Sequence, residues 1–299
     1  MNAPAGVLVI DKPRGPTSHD VVSRVRRALR TREVGHAGTL DPMATGVLVV
    51  AVGEATKLVP WLTAHDKAYR TTIRLGVATH SLDAEGEVVE SRPVDASVFD
   101  EARVQEALAA ERARTLQIPP SVSAIKIDGV AAHARVRRGE DLVLEARPVA
   151  VHRLDLLAVR RDPPELDLEI VCAKGYYVRS LGRDLAERLG TLGHLVSLRR
   201  TRSGPFTDDE AIPLDDPSLA TRLVPLVEAA GRALAKVELT EEGVVRARYG
   251  KRLLSEHFVA PPAQGPVAWV HGETLVAIGE LTGDMTGEAQ VIRGFRPPG

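Results

Sequence analysis

The segment Gly35-His36-Ala37-Gly38-Thr39-Leu40-Asp41-Pro42-Met43-Ala44-Thr45-Gly46-Val47-Leu48 constrains the chain more than any other. Its glycines and proline define a loop whose shape must be fixed. The loop runs straight into the apolar stretch 47–52, bounded by Gly46 and Gly53, which reads as a buried strand. A carboxylate, Asp41, is thereby held on a shaped loop at the edge of a core. Such a group either presents itself to a ligand or closes a turn by accepting backbone N–H groups. The residues alone leave both readings open.

Periodicity supplies the frame around this loop. Residues 7–10 read as a strand running into a turn at Asp11-Lys12-Pro13. Thr17 or Ser18 can cap a helix in which Val21, Val22, Val25 and Leu29 recur at helical spacing, with Asp20 in its first turn. Tyr69, Thr71, Ile73 and Leu75 alternate with polar neighbours, and so do Leu166, Leu168, Ile170 and Cys172; both stretches predict half-buried strands. Residues 97–113 have helical composition. Val178, Leu181, Leu185 and Leu189 predict another helix, ended by Gly190. A further helix is predicted over 223–235, and a hairpin with strands 267–270 and 275–281. The fold class is α+β: a large mixed or antiparallel central sheet flanked by helices and loops, then a small β-rich C-terminal domain. The expected domains are 1–235 and 236–299.

Composition narrows the function classes. With 44% hydrophobic residues in 299, a sizeable core can be buried. No apolar run reaches the ~18–20 residues of a membrane span, and the N-terminus has no secretory pattern, so a cytoplasmic enzyme is expected. One cysteine, Cys172, excludes an internal disulfide and a cysteine-based zinc site. GxGxxG after a strand, GxxxxGK[ST], HExxH and GxSxG are all missing. Hydride transfer, nucleotide hydrolysis and zinc chemistry therefore have no visible apparatus, and no cofactor or metal is expected. Net charge is −1, but its layout is uneven. Residues 1–80 carry eleven basic against six acidic side chains, and residues 174–203 carry seven against two. Residues 205–299 carry nine against fourteen. Two basic blocks brought together would suit a polyanion; ordinary solvated arginines would give the same count.

Residues 35–48 resemble the catalytic motif of the TruB family, the bacterial tRNA pseudouridine-55 synthases, and five other segments match in family order. Gly6-Val7-Leu8-Val9-Ile10-Asp11-Lys12-Pro13 is similar to the first motif. Asp66-Lys67-Ala68-Tyr69 is similar to the tyrosine motif. Pro119-Pro120-Ser121-Val122-Ser123-Ala124-Ile125-Lys126 is similar to the start of an RNA-gripping insertion, about 119–148. Lys174-Gly175-Tyr176-Tyr177-Val178-Arg179-Ser180-Leu181 resembles the arginine motif, and residues 198–206 resemble the segment that closes the active site. The matches span about residues 6–206.

The resemblance implies a pseudouridine synthase fold with a PUA-like C-terminal domain, and isomerisation of uridine 55 in the T-loop of tRNA. It implies Asp41 as catalytic carboxylate, Arg179 as its guanidinium partner and Tyr69 as a stacking face with a hydroxyl near the rearranging base. His36, Lys12, Leu198 and Tyr177 become substrate contacts, Arg14 a phosphate contact, and Asp83 an acidic position without an assigned role. tRNA, through its T-arm, is the implied partner, with no protein partner and a monomeric state. The chain departs from the pattern after Gly129, where Val130-Ala131-Ala132-His133 replaces a lysine and a tyrosine, and at Tyr176 and Ser180, where threonine is common. Residues 236–299 match a PUA-type barrel only loosely, and their acidic balance argues against a strong phosphate grip. Two rivals remain: an RNA-binding module without catalysis, and a carboxylate glycosidase, which needs a second carboxylate near Asp41.

Overall fold

A computed structural model describes residues 5–121, 126–127, 130–131, 144–282 and 288–297. The chain divides into two compact units, one of residues 1–40, 47–65 and 204–299, the other of residues 41–46 and 66–203.

In the first unit, strand Gly6–Lys12 lies beside the buried length of strand Thr45–Val52. Ile212–Pro213 pairs with Gly6–Lys12 in parallel, and Val224–Pro225 pairs with it antiparallel. Val34–His36 is antiparallel to Thr45–Val52, with His36 opposite Val50. Helix Ser18–Ala28 starts at Thr17, whose hydroxyl accepts from the Asp20 N–H while the Asp20 carboxylate accepts from the Thr17 N–H. That reciprocal box resolves the choice between Thr17 and Ser18. Ser18 does other work: its buried hydroxyl donates to the Leu40 carbonyl (3.0 Å) and accepts from the Leu40 N–H (2.8 Å). The helix thus grips the residue just before Asp41. Strands Lys236–Glu238, Val267–His271, Thr274–Leu281 and Ala289–Gly294 form a separate sheet. Ala268, Val270 and Ile278 share an apolar core with Val7, Val9, Val47 and Val49. Trp269 is fully buried and meets Phe258 edge to face at 5.3 Å.

The second unit is built on four antiparallel strands in the order Val151–Arg161, Pro164–Cys172, Lys67–Leu75, Gly193–Ser203, with a parallel pairing of Arg199 and Arg200 to Thr45 and Gly46. One face carries Leu166, Leu168, Ile170, Tyr69, Thr71, Ile73, Leu198 and Arg200, because residues directly opposite in an antiparallel ladder point the same way. Helix Val178–Arg188 buries Leu181, Leu185 and Ala186. Gly190, at φ +76°, follows its end as expected.

Both units are mixed sheets with helices, as the periodicity predicts. The helix expected over 97–113 is Glu101–Arg112, behind a short turn of 3-10 helix at Ala96–Phe99. The helix expected over 223–235 is confined to Leu226–Ala233 because Val224–Pro225 is used in strand pairing. Strands Val151–Arg161 and Gly193–Ser203 were not legible; charged residues occupy both of their faces. No described helix is long and apolar enough to cross a membrane. Most of the expected insertion, including Lys126, His133, Arg135, Arg137 and Arg138, lies outside the residues whose side chains are described.

Candidate active site

Asp41 opens a turn in which its carbonyl accepts from the Ala44 N–H at 3.1 Å. Its carboxylate is not consumed by that turn. Arg179 meets it with a two-point fork, Nε to Oδ2 at 2.9 Å and Nη2 to Oδ1 at 3.1 Å. Planar guanidinium and planar carboxylate match in this arrangement, which fixes both oxygens. The Arg179 side chain is 6% exposed and that of Asp41 34%, so the clamp comes from below and the carboxylate retains an open side.

Arg179 has further partners. Its Nη1 donates to the Ser81 carbonyl at 2.9 Å and lies 3.7 Å from Asp83 Oδ2. Asp83, itself only 6% exposed at its side chain, is held by its own turn. Its Oδ1 accepts from the Ser81 hydroxyl (2.6 Å) and the Glu85 N–H (3.1 Å), and its backbone carbonyl accepts from the Thr79 hydroxyl (2.7 Å). One buried guanidinium therefore faces two carboxylates, and only that of Asp41 is substantially open to solvent. A cation in the first turn of a helix works against the helix dipole; the two carboxylates offset that cost.

The aromatic side of the site lies on the sheet. Tyr69 stands opposite Arg200 on one neighbouring strand and Ile170 on the other. Burial pushes its hydroxyl above the ordinary tyrosine value, while Arg200, which donates a hydrogen bond to it, pulls the other way; the Asp41 charge also reaches it. Tyr177 is half-buried, and burial raises its hydroxyl too, within reach of the charges of Arg147, Arg179 and Asp41. Leu198 is buried opposite Thr71, on the face that carries Tyr69. Lys67 is almost fully buried on the same strand, and desolvation pulls its ammonium down to about 8. Cys172, opposite Lys67, is pushed up to about 12 by burial, as suits a core thiol.

Asp41, Tyr69, Arg179, Tyr177 and Leu198 thus belong to one compact unit; the Asp41 charge reaches Tyr69 and Tyr177, and Arg179 faces both Asp41 and Asp83. His36 and Lys12 belong to the other unit. His36 is half-buried at the end of its short strand. Lys12 is fully buried, with Nζ donating to the Pro13 carbonyl at 2.9 Å, whereas Arg14 beside it is exposed. Arg200, only 1% exposed, lies within the matched segment 198–206 but is not singled out there. An inward-facing arginine breaks the apolar alternation that would have announced its strand.

The loop that carries Asp41 closes on the strand that carries Arg200. Gly46 has φ +94°, and a Cβ there would collide with the Arg200 carbonyl oxygen and stand 3.0 Å from its backbone N and C. Gly46→Ala is expected to cost about 1–3 kcal/mol through this overlap, and more through the left-handed φ. Urea unfolding measures it, with turnover falling in parallel; an unaltered midpoint would contradict the packing described.

Residues 26–178 match the TruB family pseudouridylate synthase N-terminal domain, and residues 179–224 match the tRNA pseudouridylate synthase B C-terminal domain. The chain is 43% identical over 302 residues to the tRNA pseudouridine synthase B of Arthrobacter sp. (strain FB24), covering 98% of this chain and 97% of that protein. It is 49% identical over 255 residues to the protein of that name from Corynebacterium aurimucosum, covering 83% of this chain and 84% of the relative. Among solved structures, a chain of a Cbf5-Nop10-Gar1 complex aligns with TM-score 0.73 at 25% identity, over 98% of this chain and 84% of that one.

Proposed function

The chain belongs to the TruB family of pseudouridylate synthases, and from that membership we propose that it isomerises uridine 55 in the T-loop of tRNA to pseudouridine, with Asp41 as the catalytic carboxylate. It is a tRNA pseudouridine synthase, an intramolecular isomerase. The observation that carries the finer reading is the two-point clamp of buried Arg179 on a half-open Asp41.

The chemistry exchanges one glycosidic bond for another. The bond between uracil N1 and ribose C1′ breaks, the base turns, and C5 bonds to C1′. C5 gives up its proton and N1 ends protonated, so no atom is gained or lost overall. The target base is stacked within folded RNA and must be flipped out first. An ionised Asp41 supplies negative charge where C1′ becomes electron-poor. Arg179 fixes its oxygens and sets a positive charge beside them. Tyr69 offers the flipped uracil a flat face and a hydroxyl for proton transfer. Leu198 and Tyr177 complete the proposed contacts in this unit, and His36, Lys12 and Arg14 are proposed as contacts to the RNA. Residues 236–299 are proposed as a small PUA-like unit.

The glycosidase reading finds some geometric support in Asp83, a second carboxylate close by. Asp83, however, is 6% exposed at its side chain and committed to Ser81, Glu85 and Arg179. Incubation with an unmodified tRNA transcript and mapping of the product separates the possibilities. Pseudouridine at position 55 supports the proposal, release of free uracil supports the glycosidase, and an unchanged transcript supports a binding module.

tRNA affinity is expected to depend steeply on salt, because arginines and lysines displace counterions from phosphates. Exposed candidates include Arg14, Arg24, Arg27, Arg147 and Lys174. A dissociation constant that rises at least about tenfold between 50 and 200 mM salt is expected, measured by filter binding; a flat response would remove the electrostatic grip.

A further inference from the structure

No side chain of its own turn caps the start of the helix that carries Arg179; from within the turn, the Leu181 N–H reaches the Tyr177 carbonyl at 3.2 Å. Tyr177 occupies the cap position without a side-chain cap, and the first turn holds no acidic residue. The favoured caps are Ser, Thr, Asp and Asn, and the Arg179 cation there opposes the dipole. Yet Arg179 must hold its fork on Asp41 to within a fraction of an ångström.

The fixing comes from Gln117. This side chain is 1% exposed. Its Oε1 accepts from the Tyr177 N–H at 2.8 Å, and its Nε2 donates to the Tyr177 carbonyl at 3.1 Å. The amide thus brackets one residue's backbone as a neighbouring strand would. Its orientation is unambiguous, since the reverse would set donor against donor and acceptor against acceptor. Gln117 is anchored in turn: strand Leu116–Gln117 pairs with Arg147–Pro148. The next residue adds to the fastening, because the Ile118 carbonyl accepts from the Ser180 hydroxyl at 2.8 Å and from Arg183 Nη2 at 3.2 Å. The flanks of Arg179, Tyr177 and Ser180, are both tied to residues 117–118, one at each end of the helical turn.

We infer that Gln117 is a positioning residue for the reaction: its amide sets the backbone of Tyr177, and so the first turn from which Arg179 clamps Asp41. The inference rests on the reading that Arg179 serves Asp41 in catalysis. A misplacement of about 1 Å at a reacting group can cost ~10²-fold in rate, so an amide that touches no reacting atom can still govern turnover. Gln117→Leu keeps the bulk and removes both hydrogen bonds.

The test is single-turnover kinetics on an unmodified tRNA transcript with saturating enzyme, for Gln117→Leu, Arg179→Ala and the double variant. Gln117→Leu is expected to slow the chemical step ~10–100-fold, with tRNA affinity within about threefold of the parent. In the Arg179→Ala background the same substitution should cost less than about twofold more, because there is no guanidinium left to position. A role in general stability would cost the same factor in both backgrounds, and that result, or an unchanged rate in the single variant, overturns the inference. An Arg179→Ala enzyme with the parent rate removes the reading of the site itself, and the inference with it. Should Gln117→Leu not fold, Gln117→Glu decides by the same comparison: it still accepts from Tyr177 N–H and, when ionised, cannot donate to the carbonyl.

Discussion

Replacing Asp41 with Asn is expected to reduce pseudouridine formation by ~10⁴-fold or more, corresponding to a barrier higher by about 5.4 kcal/mol. The amide has nearly the size of the carboxylate, so the loop 41–46 retains its turn and Gly46 its contact with Arg200. One oxygen still accepts from Arg179. What disappears is the negative charge, and with it the half-exposed carboxylate of the pair that faces Arg179. Asp83 cannot stand in, because its side chain is 6% exposed and one oxygen already takes two donors. tRNA affinity should stay within a few-fold, since phosphate contacts, not this carboxylate, dominate binding. Release of tritium from tRNA labelled at uracil C5 reads the reaction directly. Turnover above about a hundredth of the parent rate would show that another group carries the chemistry.

That prediction rests on residues 138 positions apart in sequence that the fold brings to 2.9 Å. No periodicity connects Asp41 with Arg179. The resemblance of two separate motifs to one family pointed to the pair, and the structure supplies the fork. The alternating stretch 69–75 was legible because each side chain obeys the pleat, and so was helix Val178–Arg188, whose leucines recur every three or four residues. Strand Gly193–Ser203 was not, because Arg200 occupies an inward position normally reserved for an apolar group. Its hydrogen bond to Tyr69 makes that burial tolerable, but the partner lies on another strand and is invisible locally. Gln117 is hidden for a different reason. A neutral amide has no charge, period or motif, and its meaning comes entirely from the backbone groups that the fold sets opposite it. Lys12 shows another limit of local reading: its side chain is fully buried and its ammonium donates to the Pro13 carbonyl, which nothing in the residues around it announces.

Arg179→Met should do two separable kinds of damage. The first is kinetic. Asp41 loses both arms of its clamp, so its oxygens are no longer fixed, and turnover should fall ~10²–10³-fold, the scale of losing a preorganised charged partner. The second is structural. Asp83 stays buried with its nearest cation gone, and the Ser81 carbonyl loses its donor. Breaking a buried pair by removing one member costs about 3–5 kcal/mol, mostly from the charge left behind. The lower end applies here, because Ser81 and Glu85 still donate to Asp83. Adding Asp83→Asn to Arg179→Met removes the stranded charge, so the double variant should recover most of the lost unfolding free energy in urea and none of the lost turnover. Arg179→Lys should fall between: one ammonium can keep the charge balance but cannot reproduce a fork on Asp41 together with a bond to Ser81. If the second substitution instead restored activity along with stability, the guanidinium would be a fold-stabilising group only, and the clamp on Asp41 would have no part in the reaction.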